Sequence, residues 1–349
     1  MDYTFKSNKF WDLSIFEVMK NKLKNVLSLS IIILLSSCSQ TIDRDDERLY
    51  LKKERGVTSF KGIPYTGVIV EYFDDEKTQL EMKGTYKDGI REELDKYRYY
   101  ENGQLRYKET YKDGKKDGLW EWYNENGQLR YKETYKDGKK DGLWEWYYEN
   151  GQLSMKEVYK DGKKDGLWES YEENGQLTSK KTYKDGKEDG PFEYYFENGQ
   201  LSGKGTYKNG EQDGLWELYE ENGQLTSKTT YKDGKEDGPF EYYFENGQLS
   251  GKGTYKNGST DGLWESYYEN GQLSGKGTYK NGDTNGPYES YYENGQLKKK
   301  GTYKDGKEDG LWEWYYENGQ LSMKGVYKDG EQDGLWEFYH KNGQLYEKS

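Results

Sequence analysis

His340 is the only histidine of this 349-residue chain, and the groupings 161–166 and 172–173 are acidic clusters of the kind that could bind a cation or move a proton. A lone imidazole could act as a general base. Its slot, however, is filled elsewhere by Tyr148, Phe196, Glu172 or Asn124, which marks a surface position that tolerates any side chain. Asp161-Gly162-Lys163-Lys164-Asp165-Gly166 offers oxygen ligands but lacks the alternating ligands and closing Glu of a calcium loop, and Asp-Gly is already complete as turn chemistry. Glu172 and Glu173 would point to opposite faces of a strand, so they read as solvated charges and not as a glycosidase pair. There is no His-Cys set for zinc, and no phosphate loop, strand lysine or catalytic loop for phosphoryl transfer. The expectation is a chain with no enzyme activity, cofactor or metal.

Aromatic side chains are what remain. With 38 Tyr, 11 Trp and 10 Phe, the chain carries large rigid rings that bury one end and wet the other, and such rings lose little entropy on contact. Two readings stand side by side: a stacked core along a sheet, or an exposed ladder for a protein or glycan. The ladder would be formed at two variable slots by Trp122, Trp146, Tyr148, Tyr194, Phe196, Tyr242, Phe244, Tyr268, Tyr292, Trp314 and Tyr316.

A repeat positions all of these residues. Asn-Gly-Gln-Leu begins at Asn102 and returns every 24 residues to Asn342, which means a repeat array. A weaker copy, from Gly67 through Gln79-Leu80 to Gly89, reads as a degenerate N-terminal cap. Residues 176–217 are closely matched by 224–265, so whole units have been duplicated. Only 31% of residues are hydrophobic and 34% are charged, which alone would suggest disorder; the aromatics overturn that. The net charge of -12, with lysines interleaved among Asp and Glu, argues against nucleic acid as a partner.

Within one copy, Asn126-Gly127 lies between two aromatic-rich runs and predicts a β-hairpin with a two-residue type I′ turn. Trp122 would then face Tyr131, Glu121 would face Lys132, and Asn124 would face Leu129. Alternation puts Trp120, Trp122, Leu129, Tyr131 and Tyr135 on one face, with the slots of Trp120, Leu129 and Tyr135 as core. The other face pairs Glu with Lys inside each hairpin, as Glu121 with Lys132, Glu145 with Lys156 and Glu313 with Lys324, which fixes register. Where a copy reads Ser-Gly-Lys-Gly, as at 202–205, the glycine leaves space for a facing ring. Asp137-Gly138 to Asp141-Gly142 would form a slightly longer second turn. The predicted fold is all-β: an elongated, single-layer antiparallel meander of repeated β-hairpins.

At the front, residues 19–38 read MKNKLKNVLSLSIIILLSSC: three lysines, then about ten apolar residues, too few to span a bilayer as a helix. Leu35-Ser36-Ser37-Cys38 looks like the lipobox of bacterial lipoproteins, which implies cleavage before Cys38 and acylation of its thiol and amino group. The expected organisation is a signal peptide over 1–37, with Met19 as a second possible start, then lipidated Cys38 and a polar tether over 38–59. The array follows over 60–349, its cap at about 60–89 and regular repeats at about 90–349. As the only cysteine, Cys38 can form no intrachain disulfide. This places the protein on a bacterial inner or outer membrane, lipid-anchored and facing the periplasm or exterior.

The pattern G-[LP]-[WFY]-E-x-Y-x-x-N-G-Q-L-x-x-K-x-x-Y-K-[DN]-G, over about residues 67–345, resembles the MORN-repeat variant of bacterial YwqK-type proteins. Proteins of that type are often labelled antitoxin components, so the resemblance implies binding of a protein toxin, which for an exported chain would itself be exported. WEWYYENGQL is also similar to choline-binding cell-wall repeats, although repeat length and the Tyr-Lys-Asp-Gly segment favour the MORN variant. The functional expectation is a non-enzymatic, multivalent protein-interaction scaffold at the cell envelope. An immunity-like protein for an exported toxin and an envelope glycan reader are the alternatives.

Overall fold

The computed structural model describes residues 40–44, 51–54, 57–60 and 62–349, and among them every regular element is a strand. The predicted signal peptide, Met19 and Cys38 lie outside the described residues. The chain divides into two compact units, Met1–Gly127 with Tyr135–Gly138, and Gln128–Thr134 with Lys139–Ser349.

In the first unit, Gly67–Tyr72, Leu80–Lys87, Ile90–Tyr99 and Leu105–Lys112 form an antiparallel meander. Its start departs from a pure antiparallel meander. Within the stretch read as a polar tether, Gln40–Asp43 runs parallel to Gly67–Tyr72, with Ile42 opposite Ile69. Leu51–Glu54, Val57–Phe60 and Ile63–Pro64 make a small antiparallel sheet. Buried Ile42, Tyr65 and Ile69 form a cluster against which Phe60 and Tyr86 pack. The amide of Thr58 donates to the Gly89 carbonyl at 2.7 Å, and the Gly89 amide to the Tyr65 carbonyl at 2.7 Å. This approach requires glycine, because a Cβ on Gly89 would stand 2.4 Å from Val57.

The second unit is a succession of near-identical hairpins. In the one built from Gly142–Tyr147 and Leu153–Lys160, Trp144 faces Glu157, Glu145 faces Lys156 and Trp146 faces Met155, the register that the sequence predicts. The turn differs. Tyr148 donates its amide to the Gln152 carbonyl at 2.8 Å and Gly151 donates to the Tyr148 carbonyl at 2.9 Å, so the loop has three residues, Glu149-Asn150-Gly151. Asn150 is absent from the positive-φ residues and only Gly151 is left-handed, at φ 86°. A type I turn closed by a left-handed glycine brings a bulge with it.

The asparagine side chain is the cause. Its Oδ1 accepts the amide of Gln152 at 2.8 Å while its Nδ2 donates to the carbonyl of Glu173 in the next hairpin at 2.7 Å. The two-residue type I′ turn sits at the other corner. Asp161 and Gly162 have φ 50° and 87°, and Lys160 pairs directly with Lys163. The bulge also corrects the expected core, since Leu153 now pairs with Tyr147 and not with Tyr148. The leucine slot therefore joins the Glu/Tyr face, and the buried apolar residues of this unit are all rings: Trp144, Phe192, Phe240, Trp312 and Trp336.

Tyrosines of the Tyr135 slot bridge successive core rings. Trp144, Tyr159, Trp168 and Tyr183 follow one another at 5.3, 5.5 and 4.9 Å between ring centres, a spacing at which tilted rings attract.

Candidate interaction surface

On the Glu/Lys face each glutamate lies opposite two lysines, one in its own hairpin and one in the hairpin before. The ion pairs form mostly with the preceding one and not within a hairpin as predicted: Lys132 with Glu145, Lys204 with Glu217 at 2.7 Å, Lys300 with Glu313 at 2.7 Å; in the last hairpin Glu337 takes both, Lys324 at 2.8 Å and its own Lys348 at 2.7 Å. The reason is the tyrosine two residues on. Its hydroxyl donates to the same Oε2 that takes the lysine, at 2.7 Å from Tyr147 to Glu145 and 3.0 Å from Tyr219 to Glu217, which turns the carboxylate toward the preceding strand. These ion pairs therefore stitch one hairpin to the next. Lys204, the main cause, holds the Glu217 carboxyl below its ordinary range, and Lys252 and Lys276 do the same for Glu265 and Glu289.

The eleven aromatics predicted to form a single exposed ladder separate into two sets. Trp122, Trp146, Tyr194, Tyr242 and Trp314 lie beside the core ring of their own strand, 5.1 to 5.9 Å away between centres. Trp122, Trp146, Tyr242 and Trp314 are half-buried and Tyr194 is exposed, at 37%. The second set sits at the hairpin tip. Tyr148, Tyr268, Tyr292 and Tyr316 donate their hydroxyls to the carbonyls of Tyr171, Tyr291, Tyr315 and Tyr339, 23 residues on, at 2.7 to 2.8 Å. They are staples between hairpins, and Phe196 and Phe244, lacking the hydroxyl, occupy the same half-buried place. The single ladder that the sequence predicts is thus divided, and only the first set lies beside the core rings.

Further residues of the aromatic face went unread in the sequence. Lys116, Lys140 and Lys164 place their ammonium groups 3.8, 3.9 and 3.9 Å above Trp120, Trp144 and Trp168, a cation–π contact. Glu157, buried at 7%, accepts the Tyr159 hydroxyl at 2.9 Å. Burial pushes its carboxyl up, against the pull of Tyr159, Lys164 and Lys140. One hairpin later the charges exchange: Lys181 stands in the Glu157 slot and Glu188 in the Lys164 slot, 3.1 Å apart. The signal that could have found them is this exchange of sign between two slots seven residues apart. The glycine platforms are as predicted: a Cβ on Gly205 would meet Phe192 at 2.6 Å and Trp216 at 2.8 Å, and one on Gly301 would meet Trp312 at 2.1 Å.

At the Asp-Gly corners the carboxylates cap backbone. Asp141 Oδ2 accepts the Asp161 amide at 3.1 Å, and Asp165 Oδ2 accepts the Asp185 amide at 3.2 Å. Among the described residues no group of His, Cys, Asp and Glu is arranged to hold a metal ion. His340 is exposed, with its ring stacked on Tyr346 at 4.6 Å.

Several solved structures are similar to the chain. A TcdB2-TccC3-Cdc42 crystal structure is 14% identical over 75% of this chain and 16% of its own, with a TM-score of 0.19. The Photorhabdus luminescens Tc holotoxin pore is 14% identical over 80% and 17%, with a TM-score of 0.18. The chain thus spans about a sixth of the length of these proteins. No curated protein sequence matches it. The MORN repeat variant family matches in eleven consecutive segments, from 93–113 and 116–137 through to 308–329 and 332–349. Each regular segment holds one hairpin about its Asn-Gly corner, and with this match running through most of its length the chain belongs to the MORN repeat variant family.

Proposed function

We propose that this chain is a non-enzymatic, multivalent binding scaffold, held at a bacterial cell envelope by lipidation of Cys38, whose partners are proteins of that compartment. One observation carries the reading: the ring beside the core, from Trp122 to Trp314, is presented partly open to solvent and recurs on hairpins stitched to their neighbours by ion pairs, tyrosine staples and asparagine side chains. A series of similar weak sites on linked hairpins raises avidity without a strong single site. Rigid rings with a polar end suit such contacts.

Removal of one 24-residue unit tests this. Partners captured by crosslinking in the native cell should remain bound with affinity falling stepwise as units are removed. Abrupt loss on deleting one particular unit would place recognition at a single locus and overturn the multivalent reading. Cys38→Ser should move the protein from the membrane to the soluble fraction, and unchanged membrane sedimentation would remove the anchor from the proposal.

A further inference from the structure

Residues 176–217 and 224–265 differ at three positions only, Lys181/Thr229, Glu211/Ser259 and Gln212/Thr260. In the first copy Glu188 lies opposite Tyr183, accepts its hydroxyl at 3.2 Å and takes the Lys181 ammonium at 3.1 Å. That ammonium also stands 5.1 Å from the centre of the Tyr194 ring. Burial alone would depress the lysine, but Tyr194 and Glu188 outweigh it and hold the charge on. The first copy therefore contains an alkylammonium in a cup of aromatic rings with a carboxylate at its wall.

The second copy builds the same cup without the lysine. Glu236 lies opposite Tyr231, and Tyr242 and Tyr255 sit 5.1 and 4.7 Å from the Phe240 ring. The slot of Lys181 is held by Thr229, buried opposite Phe240 and too short to bring a charge to the carboxylate. Among the described residues no ion pair reaches Glu236, whereas Glu188 has Lys181. The carboxylate is felt by the rings: after burial, its charge is the next cause that pushes the Tyr231 hydroxyl up. Glu308 differs, because Lys299 already puts an ammonium 5.3 Å over Trp312 in that hairpin.

We propose that Glu236, Tyr231, Tyr242 and Tyr255 form a binding site for an alkylammonium group supplied from outside the chain, with Lys181 in the neighbouring copy showing how the group sits. A carboxylate beside π faces is the chemistry that selects a cation with an apolar coat. The site deepens the scaffold reading and rests on it, since a lysine side chain of a bound protein is one source of such a group and a choline headgroup is the other.

The test uses the purified full chain and two probes, N-acetyl-lysine methylamide and choline chloride, with binding followed by broadening of the probe resonances in NMR titrations. One cup is then filled and the other emptied by substitution. Thr229→Lys should fill the site from within and weaken probe binding at least roughly tenfold, with unchanged circular dichroism because the first copy already tolerates lysine there. Lys181→Thr should do the reverse and about double the binding capacity by opening the Glu188 cup. Stronger binding of the lysine amide assigns a protein partner, and stronger binding of choline assigns a headgroup; either supports the site. Binding of neither probe, or binding indifferent to both substitutions, overturns it. In that event the native-cell crosslinks of the Thr229→Lys chain decide the scaffold reading separately, since that reading stands if they persist and falls only if the unaltered chain captures no partner.

Discussion

Hairpins around residues 139–190 and those around 201–339 solve one packing problem in two ways. The core ring of each strand needs a neighbour on the facing strand. In the earlier hairpins that neighbour is charged: Glu157 faces Trp144 and Lys181 faces Trp168, with Lys140 and Lys164 laid over the indoles. In the later ones it is mostly glycine: Gly205 faces Phe192, Gly253 faces Phe240 and Gly325 faces Trp312. The charged solution keeps the indole N–H bonded, from Trp144 to the Thr134 carbonyl at 2.9 Å, and in the later region Trp216 keeps the same bond, to the Thr206 carbonyl at 3.2 Å. Rings are buried in both regions, Trp144 to 2% exposure, but the indole nitrogens differ. Trp312 is 0% and Trp336 5% exposed, and the indole nitrogens of both are buried without a hydrogen-bond partner. An unmade hydrogen bond of this kind costs on the order of 1–3 kcal/mol, a cost that Trp312 and Trp336 carry and that Trp144 and Trp216 do not. The comparison teaches that the aromatic track is the invariant and that its filling is free to vary, which is how one copy can hold a cation that another lacks.

The sharpest way to break this contrast is to put the same residue opposite an indole in each region. Gly301→Ala would drive a Cβ into Trp312 and should destabilise by about 1–3 kcal/mol, the range for overpacking. Glu157→Ala removes a buried carboxyl and should cost under about 1 kcal/mol, since the Tyr159 hydroxyl it frees is half-buried and within reach of water. Denaturant midpoints of the two variants would measure it, and equal losses would erase the distinction.

Acid sharpens it further. The ladder carboxyls of Glu217, Glu265 and Glu289 are held below their ordinary value of 4.5, and that of Glu337 is lowered to about 2, chiefly by their lysine partners. A depressed carboxyl contributes its full stability above its unfolded value and loses it as pH falls through the folded one. Thermal stability should therefore drop between about pH 4.5 and 2, and Glu217→Gln should flatten part of that drop. Glu157 has the opposite sign: its carboxyl is raised by burial, so the folded chain holds that proton more tightly and the penalty of its charge lessens as pH falls. Glu157→Gln should make the acid loss steeper, as read by melting temperature against pH.

The smallest effect is expected from the cation over the ring. Lys140→Met should lose about 0.5–1 kcal/mol. Gln212→Lys, which brings an ammonium to the slot opposite Tyr207, should recover a similar amount in the glycine region. Paired unfolding curves would show both, and a null result at Gln212 would mean that the later rings have no room for a cation.

Much of this was legible in the sequence. The 24-residue period, the strand register from Glu145 opposite Lys156, and the ring over Gly205 follow from alternation and spacing. The turn types were exchanged because dipeptide preference cannot show a side-chain oxygen taking the amide two residues on, as Asn150 does for Gln152. That local bond keeps asparagine out of the left-handed region, inserts a bulge and sends Leu153 to the other face. The sequence shows Tyr148 and its equivalents as open rings because their acceptor, a carbonyl 23 residues away, belongs to the next hairpin. Contacts between copies are invisible to the pattern of one copy. Of the predicted site, the Trp122 slot kept its place beside the core, and the lysines above the indoles became visible only in three dimensions.

The hairpin corners bond forward by constant intervals, asparagine amide to carbonyl 23 residues on and aspartate carboxylate to amide 20 residues on, whatever fills the slots between them. Any in-frame gain or loss of whole units leaves every seam with the partner it had. Unequal crossing-over between copies as alike as 176–217 and 224–265 can therefore lengthen or shorten the molecule without a folding penalty at the join. The number of hairpins becomes an inherited quantity that a lineage adjusts in steps of one unit.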